Sequence, residues 1–381
     1  MKIFIVGGGF AGIQGAKVLA KNVAASNEIF LMDKNKYTTM LPNLPEFSSE
    51  RLMREDISEN IEKLIPSSVK FLNEEITEIN LDNKTIITKN TEYTYDYILL
   101  AAGSVTNFFG FDKHMDKVNT LESIIAAESV HDKFIEYIDK TDSPTLVVSG
   151  AGFTGIELAC NLYDLAKKKG KLLNVVFVEL AKTFLPMLSE KSHLHVEAKL
   201  KELKFKVYTD NKIVDFDGSN ITLKDNEVLE NVFFCWCSGV KSPIKPIGTY
   251  EALPDGRIIV NENLSVPGYP EVFAAGDAAA MKDKDGKYLR RAVNFAQMSG
   301  KHAGKNMVSA INNEEQEPFN PIDLGWIIPL YISSIGVVLG KEVSGRKGIF
   351  IHYMICGVKN YNIRNFFKEF RAAIKYPFVK L

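Results

Sequence analysis

Asp33 and Glu179 each end a short apolar run, residues 28–32 for the first and 175–178 for the second. A carboxylate in that place can accept hydrogen bonds from the hydroxyls of a ribose, provided something upstream holds the adjoining phosphates. Upstream of each acid lies a glycine set spaced G-x-G-x-x-G: Gly7, Gly9 and Gly12 before Asp33, and Gly150, Gly152 and Gly155 before Glu179. One glycine makes a tight turn, one lets the backbone approach a pyrophosphate, and one lets a helix pack close on a strand. The helix that follows offers phosphates its free N–H groups and a partial positive charge. Two such sets in one chain predict two dinucleotide sites. A third acid, Asp277, follows the apolar run 272–275 at the turn of Gly276, a place suited to binding a polyol chain.

Positioning these residues requires particular elements. Lys2–Val6 reads as a strand buried on both faces, 11–21 as a helix and 28–32 as the next strand. The pattern returns at 145–149, with a helix over 156–168 and a strand over 175–178. Residues 71–79 and 84–89 alternate like strands around Asp82-Asn83. Residues 95–103 read as a buried strand ending in Ala102 and Gly103, and 232–240 as another running into Gly239. Small residues there suit a close passage past a ligand. Residues 34–46 read as a proline-bearing loop. Near the end, 325–340 and 348–354 look like antiparallel strands, and a helix begins at Asn360. Its Ile363, Phe366, Phe367, Phe370 and Ile374 recur at helical spacing, and six basic residues against one acid, Glu369, lie from Lys359 to the end. That pattern fits a helix lying in a membrane surface, or one closing a domain or making a dimer contact.

At 381 residues the chain suggests two or three domains. A net charge of −1 gives no reason to expect nucleic acid as a partner. Cys160, Cys235, Cys237 and Cys356 are too few and scattered for a disulfide framework, which favours a reducing compartment. Cys235 and Cys237 share a strand face and read as core packing rather than as a redox or metal pair. The six histidines form no ligand cluster, and His193 and His195 lack further partners, so no metal is expected. The opening apolar stretch is too short for a signal peptide, and no uninterrupted apolar run is long enough to span a membrane.

The chain resembles the two-dinucleotide-binding flavoproteins, and most closely the type II NADH dehydrogenases. The resemblance rests on GGGFAG at 7–12, on Asp33 with Tyr37 and Pro42, and on YDYILLAAGSVTNFFG at 95–110. It continues through GAGFTGIELA at 150–159, WCSGV at 236–240 and VFAAGDAA at 272–279. It implies an α/β fold with two Rossmann-like domains: a discontinuous FAD domain (1–112 and 241–318), an inserted NADH domain (113–240) and a C-terminal region (319–381) with strands and an amphipathic helix. FAD would occupy the first fingerprint with Asp277 on its ribityl chain, and NADH the second. The cofactor-binding residues it points to are Gly7, Gly8, Gly9, Phe10, Ala11, Gly12, Asp33, Lys34, Pro42, Ile76, Ala102, Gly103, Gly276, Asp277, Asn294, Phe295 and Ala296. Gly150, Gly152, Phe153, Thr154, Gly155, Glu179 and Gly239 complete the set. Glu179 favours NADH over NADPH, since it would repel a 2′-phosphate; nearby Lys182 moderates the preference.

In that family the glutamate matching Glu157 is linked to proton delivery during quinone reduction; the plain alternative is an acid favouring a helix dipole. The implied activity is hydride transfer from NADH to FAD, then two electrons to menaquinone or ubiquinone, by a homodimer on the cytoplasmic face of the cell membrane. If the last helix is a dimer contact, the protein is cytoplasmic. The chain departs from the family at its A-Q-x-x-x-Q quinone motif, where Val293, Asn294 and Met298 stand; sliding to Ala296-Gln297 recovers only half of it. Three alternatives stay open: a soluble NADH-dependent reductase of a small electron carrier, a sulfide:quinone oxidoreductase using Cys160 and Cys356, and a non-catalytic NADH-sensing flavoprotein.

Overall fold

The computed structural model describes residues 1–378. Its contacts divide the chain into two compact units. The first comprises Met1–Thr39, Ser58–Val105 and Val240–Asp323; the second comprises Met40–Ile57, Thr106–Gly239 and the chain from Leu324 onward.

The first unit is built on a six-stranded sheet in the order Ser265–Val266, Tyr269–Ala274, Tyr97–Leu100, Lys2–Val6, Glu28–Met32, Val69–Leu72. All pairings are parallel except the one at the Ser265–Val266 edge. Lys2–Val6 occupies the interior, and Ile3, Phe4 and Ile5 are at most 1% exposed, which explains a run with no polar alternation. The helix Phe10–Asn22 packs on the helix Val293–Asn312 through Ala11, Gly15, Gly300 and Gly304. A Cβ on Gly300 would collide with the backbone of Ala11. An antiparallel meander, Ile76–Asn80, Thr85–Thr88 and Glu92–Thr94, belongs to the same unit.

The second unit repeats the plan. Its parallel sheet runs Asn119–Thr120, Val232–Trp236, Thr145–Ser149, Asn174–Val178, Lys206–Tyr208. Alternate residues feed two cores: Leu146, Val148, Phe177, Phe233 and Cys235 on one face, Val147, Val176, Val178, Phe234 and Trp236 on the other. Helices Ile124–Lys140, Phe153–Lys168 and Glu190–Glu202 cover the first face, joined by the hairpin Gly325–Leu330 and Ser333–Val338. The short strands Ile213–Phe216 and Ile221–Leu223 cover the other.

Several expectations need correcting. Residues 348–354 are not a strand but lie within the helix Gly345–Lys359, where Ile349, His352, Tyr353 and Cys356 are buried at helical spacing. Its β-branched and aromatic content imitated a strand because both helix and strand here are largely buried. Residues 71–79 are two strands in different sheets, Val69–Leu72 and Ile76–Asn80, broken at Asn73, whose amide donates to the Asp33 carbonyl at 3.0 Å. The stretch 34–46 is not all loop: it forms the strand Tyr37–Thr39, a 3-10 turn Leu41–Asn43 and the start of the short helix Leu44–Phe47. Asp277 lies in a 3-10 turn, Gly276–Ala278, and the next α-helix starts only at Val293. The last helix is Ile363–Phe378. Lys380, the sixth basic residue of that region, lies outside the described residues.

Gly300→Ala should lower stability by about 1–3 kcal/mol, since a methyl group forces the two helices apart. A calorimetric melt checks this; an unchanged melting temperature would mean that the helix crossing has slack.

Candidate functional site

The two glycine-rich turns have the same geometry, bond for bond. Gly7 N–H donates to the Met32 carbonyl at 2.8 Å, and Gly150 N–H to the Val178 carbonyl at 2.8 Å. Each terminal acid then clamps its own turn. Asp33 Oδ2 accepts from Gly8 N–H at 2.7 Å and Oδ1 from Asn35 N–H at 2.7 Å. Glu179 Oε2 accepts from Ala151 N–H at 3.0 Å and Oε1 from Ala181 N–H at 3.0 Å. Each carboxylate oxygen retains lone-pair capacity for a ribose hydroxyl. Burial raises the Asp33 carboxyl above its ordinary value, against the lowering effect of those backbone donors.

The glycines divide by physical reason. Gly7 has φ +104° and would meet the Ala101 and Ala102 backbone with any side chain. Gly12 and Gly155 would collide with the carbonyls of Gly7 and Gly150, which is helix packing tight against the strand turn. Gly9 and Gly152 differ. Their φ values, −86° and −83°, are open to any residue, and a Cβ on either meets nothing within 4 Å. Neither strain nor packing calls for glycine there, so the reason left is room for a ligand in front of the helix. Both are N-caps without a side-chain hydrogen bond, whereas Ser123 and Ser189 cap the neighbouring helices Ile124–Lys140 and Glu190–Glu202 with their hydroxyls. The first-turn N–H groups are thus left for phosphate oxygens, and the donor set fits a dinucleotide in each unit.

The remaining expected residues fall in two groups. In the first unit, Ala102 and Gly103 follow the strand Tyr97–Leu100, and Gly103 has φ +73° with open space before it. Ser104 Oγ donates to Asp277 Oδ2 at 2.8 Å, and burial raises the Asp277 carboxyl. Gly276 packs against Ala11 and Ala296, while the Arg290 guanidinium lies 5.2 Å from the Phe295 ring centroid. Asn294 Nδ2 donates to the Ile322 carbonyl at 2.6 Å, and Ile76 and exposed Lys34 belong to the same unit. Pro42 and Gly239 belong to the second unit, with Phe153, exposed Thr154 and Glu157. Gly239 has φ +94° and lies against the Phe109 ring. Phe153 packs on Trp326, ring centroids 5.4 Å apart.

The pyridine nucleotide-disulphide oxidoreductase family matches residues 1–303. The chain belongs to that family. It is 29% identical over 379 residues to a type II NADH:quinone oxidoreductase of Staphylococcus haemolyticus, covering 93% of this chain and 94% of the relative. A Staphylococcus aureus protein of the same name is 29% identical over 382 residues, with the same coverage. The fold is shared with NDH2 from Plasmodium falciparum, solved in complex with NADH (TM-score 0.84, 18% identity, 100% of this chain and 99% of that one). It is also shared with a sulfide:quinone oxidoreductase from Aquifex aeolicus (TM-score 0.78, 19% identity, 100% and 96%).

Unlike the disulphide chemistry in the family's description, this member carries its four cysteines as free thiols. Burial pushes Cys160 and Cys237 up to about 12 and raises Cys356 well above the ordinary thiol value. Thiols so held stay protonated near neutral pH and are poor nucleophiles. Among the described residues no group of His, Cys, Asp and Glu is arranged to hold a metal ion. The second unit does hold a site that motifs do not reveal. Glu157 retains some exposure, and its carboxyl is raised well above the ordinary value, by burial first and then by Glu46. Glu46 and Glu369 are 1% and 0% exposed. One sequence signal could have found the latter: Glu369 is four residues from Asn365, on the face of the last helix opposite Phe367 and Ile374.

Glu179→Ala should raise the KM for NADH about tenfold, on the order of 1.4 kcal/mol, and narrow the gap to NADPH. Steady-state kinetics with both nucleotides check this; an unchanged ratio removes Glu179 from nucleotide selection.

Proposed function

We propose that this protein is a FAD-dependent, non-proton-pumping NADH:quinone oxidoreductase of the type II class. The observation that carries the reading is the duplicated acid-clamped turn, which gives one chain two dinucleotide cradles. Bound FAD supplies a two-electron acceptor able to take hydride from NADH and pass both electrons on. The chain's residues supply binding and proton control. The free N–H groups after Gly9 hold the FAD pyrophosphate, Asp33 its ribose and Asp277 its ribityl hydroxyls. The N–H groups after Gly152 and the Glu179 carboxylate do the same for NADH. Small Ala102 and Gly103 leave room for the flavin ring in the first unit.

Quinone reduction consumes NADH, one proton and the quinone. The hydride brings one hydrogen, so a second must come from solvent. Glu157, kept protonated by burial and by the nearby Glu46 charge, supplies it to the quinone oxygen as a general acid. The acceptor is menaquinone or ubiquinone. A sulfide:quinone reading has less support, because the Cys160 and Cys356 thiols it would need are buried and held neutral.

The last helix buries one carboxyl and one amide and exposes several of its large apolar side chains. Asn365, Glu369, Ala372 and Ala373 are buried, while Ile363, Phe367, Phe370 and Ile374 are 71%, 57%, 38% and 49% exposed. Arg364, Arg371 and Lys375 are exposed beside them, and Val358 adds a further apolar group at 70%. An apolar stripe flanked by cations matches a lipid surface with anionic headgroups, and no described helix is long and apolar enough to cross a membrane. The stripe supports a place at a membrane surface, which we take to be the cytoplasmic face of the cell membrane; a homodimer formed through this stripe is the alternative.

Glu157→Gln should slow flavin reoxidation by a quinone about a hundredfold while reduction by NADH changes little. Stopped-flow measurement of both half-reactions decides, and equal slowing would refute a proton role. Ile363→Glu with Phe367→Glu should abolish sedimentation with anionic vesicles. A double variant that still sediments would move the contact elsewhere.

A further inference from the structure

Three carboxyls of the second unit, two of them fully buried, converge on one place. They come from three elements distant in sequence: Glu46 from the helix Leu44–Phe47, Glu157 from Phe153–Lys168, and Glu369 from the last helix. All three act electrostatically on the Cys356 thiol. His352 joins them, with Nε2 at 3.4 Å from Glu46 Oε1 and 3.8 Å from Cys356 Sγ. The Glu369 side chain lies over Gly357, one turn further along the helix that carries His352.

This acid group has little of the compensation that buried anions need. Glu46 Oε2 is buried and makes no hydrogen bond, and the buried Glu369 carboxyl has the Asn360 side chain as its hydrogen-bonding neighbour. Asn43 is 0% exposed and lies beside the Cys356 thiol. Of the cations close by, Lys368 pairs with Asp56, and Arg51 pairs with Asp164 at 2.9 Å while also attracting Glu46. An unpaired buried carboxylate is costly enough that the group neutralises instead. The Glu369 carboxyl is pushed up to about 9, by burial first and then by Glu46 and Asp56.

We propose that Glu369 is a proton store, coupled through Glu46 and His352 to Glu157, that recharges Glu157 after each quinone turnover. The inference rests on the quinone reading and deepens it. In each turnover the Glu157 carboxyl gives its proton to the quinone oxygen and becomes a carboxylate. A proton then moves from the Glu369 carboxyl to Glu157 by way of Glu46 and His352, and the acid group takes one back from solvent before the next turnover. The net reaction remains NADH plus a proton plus quinone giving NAD and quinol. Glu369 touches no reactant; it acts through Glu157 as a positioning residue for protons. The groups that act on it are the Glu46 and Asp56 carboxyls, the Asn360 side chain that hydrogen-bonds it, and the Cys356 thiol.

The test uses FAD-loaded full-length Glu369→Gln protein and has two readouts. A carboxyl raised from its unfolded value of 4.5 to about 9 contributes stability that is complete at low pH and is lost as pH rises through that window. The amide variant has no such loss. Its melting temperature relative to wild type should therefore climb by several degrees between about pH 5 and about pH 8.5. A pH-independent difference overturns the store. In stopped flow, reoxidation by a short-chain menaquinone should slow about tenfold at about pH 8.5 and less at about pH 6, where solvent protons are plentiful. A variant whose melting behaviour changes as expected but whose reoxidation matches wild type at every pH overturns the coupling to Glu157. Should Glu369→Gln fail to fold, Glu46→Gln serves: removing that charge must lower the pH at which Glu369 loses its proton, and an unmoved transition overturns the coupling. A wild-type protein that no quinone reoxidises overturns the relay together with the quinone reading; the pH-dependent melting difference then still registers the protonated Glu369, which tells the two failures apart.

Discussion

The architecture depends on how closely a backbone can approach another backbone. At both fingerprints the helix begins so near the preceding strand turn that a single methyl group would strike the carbonyls of Gly7 or Gly150. That proximity lets the acid at the end of the next strand reach the turn and hold it by one N–H group, while a second N–H two residues past the acid fixes the carboxylate itself. It also aims the helix start at the space before Gly9 and Gly152. The sheet interiors are apolar on both faces because strands so placed are covered on both sides. Loop content and helix length around each cradle can vary; the approach distance cannot.

What the residues disclose in one dimension follows from the range of the constraint. The glycine sets and their acids were legible because the forces that fix them act across thirty residues or fewer, and sterics leave glycine no substitute at Gly7 or Gly12. The family match and the shared folds agree with the two-domain α/β fold expected from those sets. The helix Gly345–Lys359 was misread because a run apolar on most sides has no period to distinguish it from a strand. The acid group at Glu46, Glu157 and Glu369 was invisible for another reason: its members are more than one hundred residues apart, and only the folded second unit brings them together. Glu369 was counted as the lone acid of a basic segment, when its helix in fact faces inward with its acid and outward with its aromatics.

That inversion links energetics to location. A helix contributes to stability by burying apolar area, and this one leaves Phe367 and Ile363 in the open while enclosing a carboxyl and an amide. Small Ala372 and Ala373 permit close packing on the described part of the second unit, so contact is kept even though the large side chains point away. Lys368 and Asp56 add an ion pair at the margin. The arrangement is poor for an isolated molecule in water and suits one whose outer stripe is covered.

The first unit is closed by a pairing between distant segments. Tyr97–Leu100 has Lys2–Val6 on one side, available as soon as it is made, and Tyr269–Ala274 on the other. Roughly 170 residues separate the two strands of the later pairing. While a ribosome is producing that stretch, the emerging polypeptide carries an unpaired, apolar sheet edge of the kind that recruits other chains. The discontinuous layout therefore has a cost during synthesis that is absent from the finished molecule.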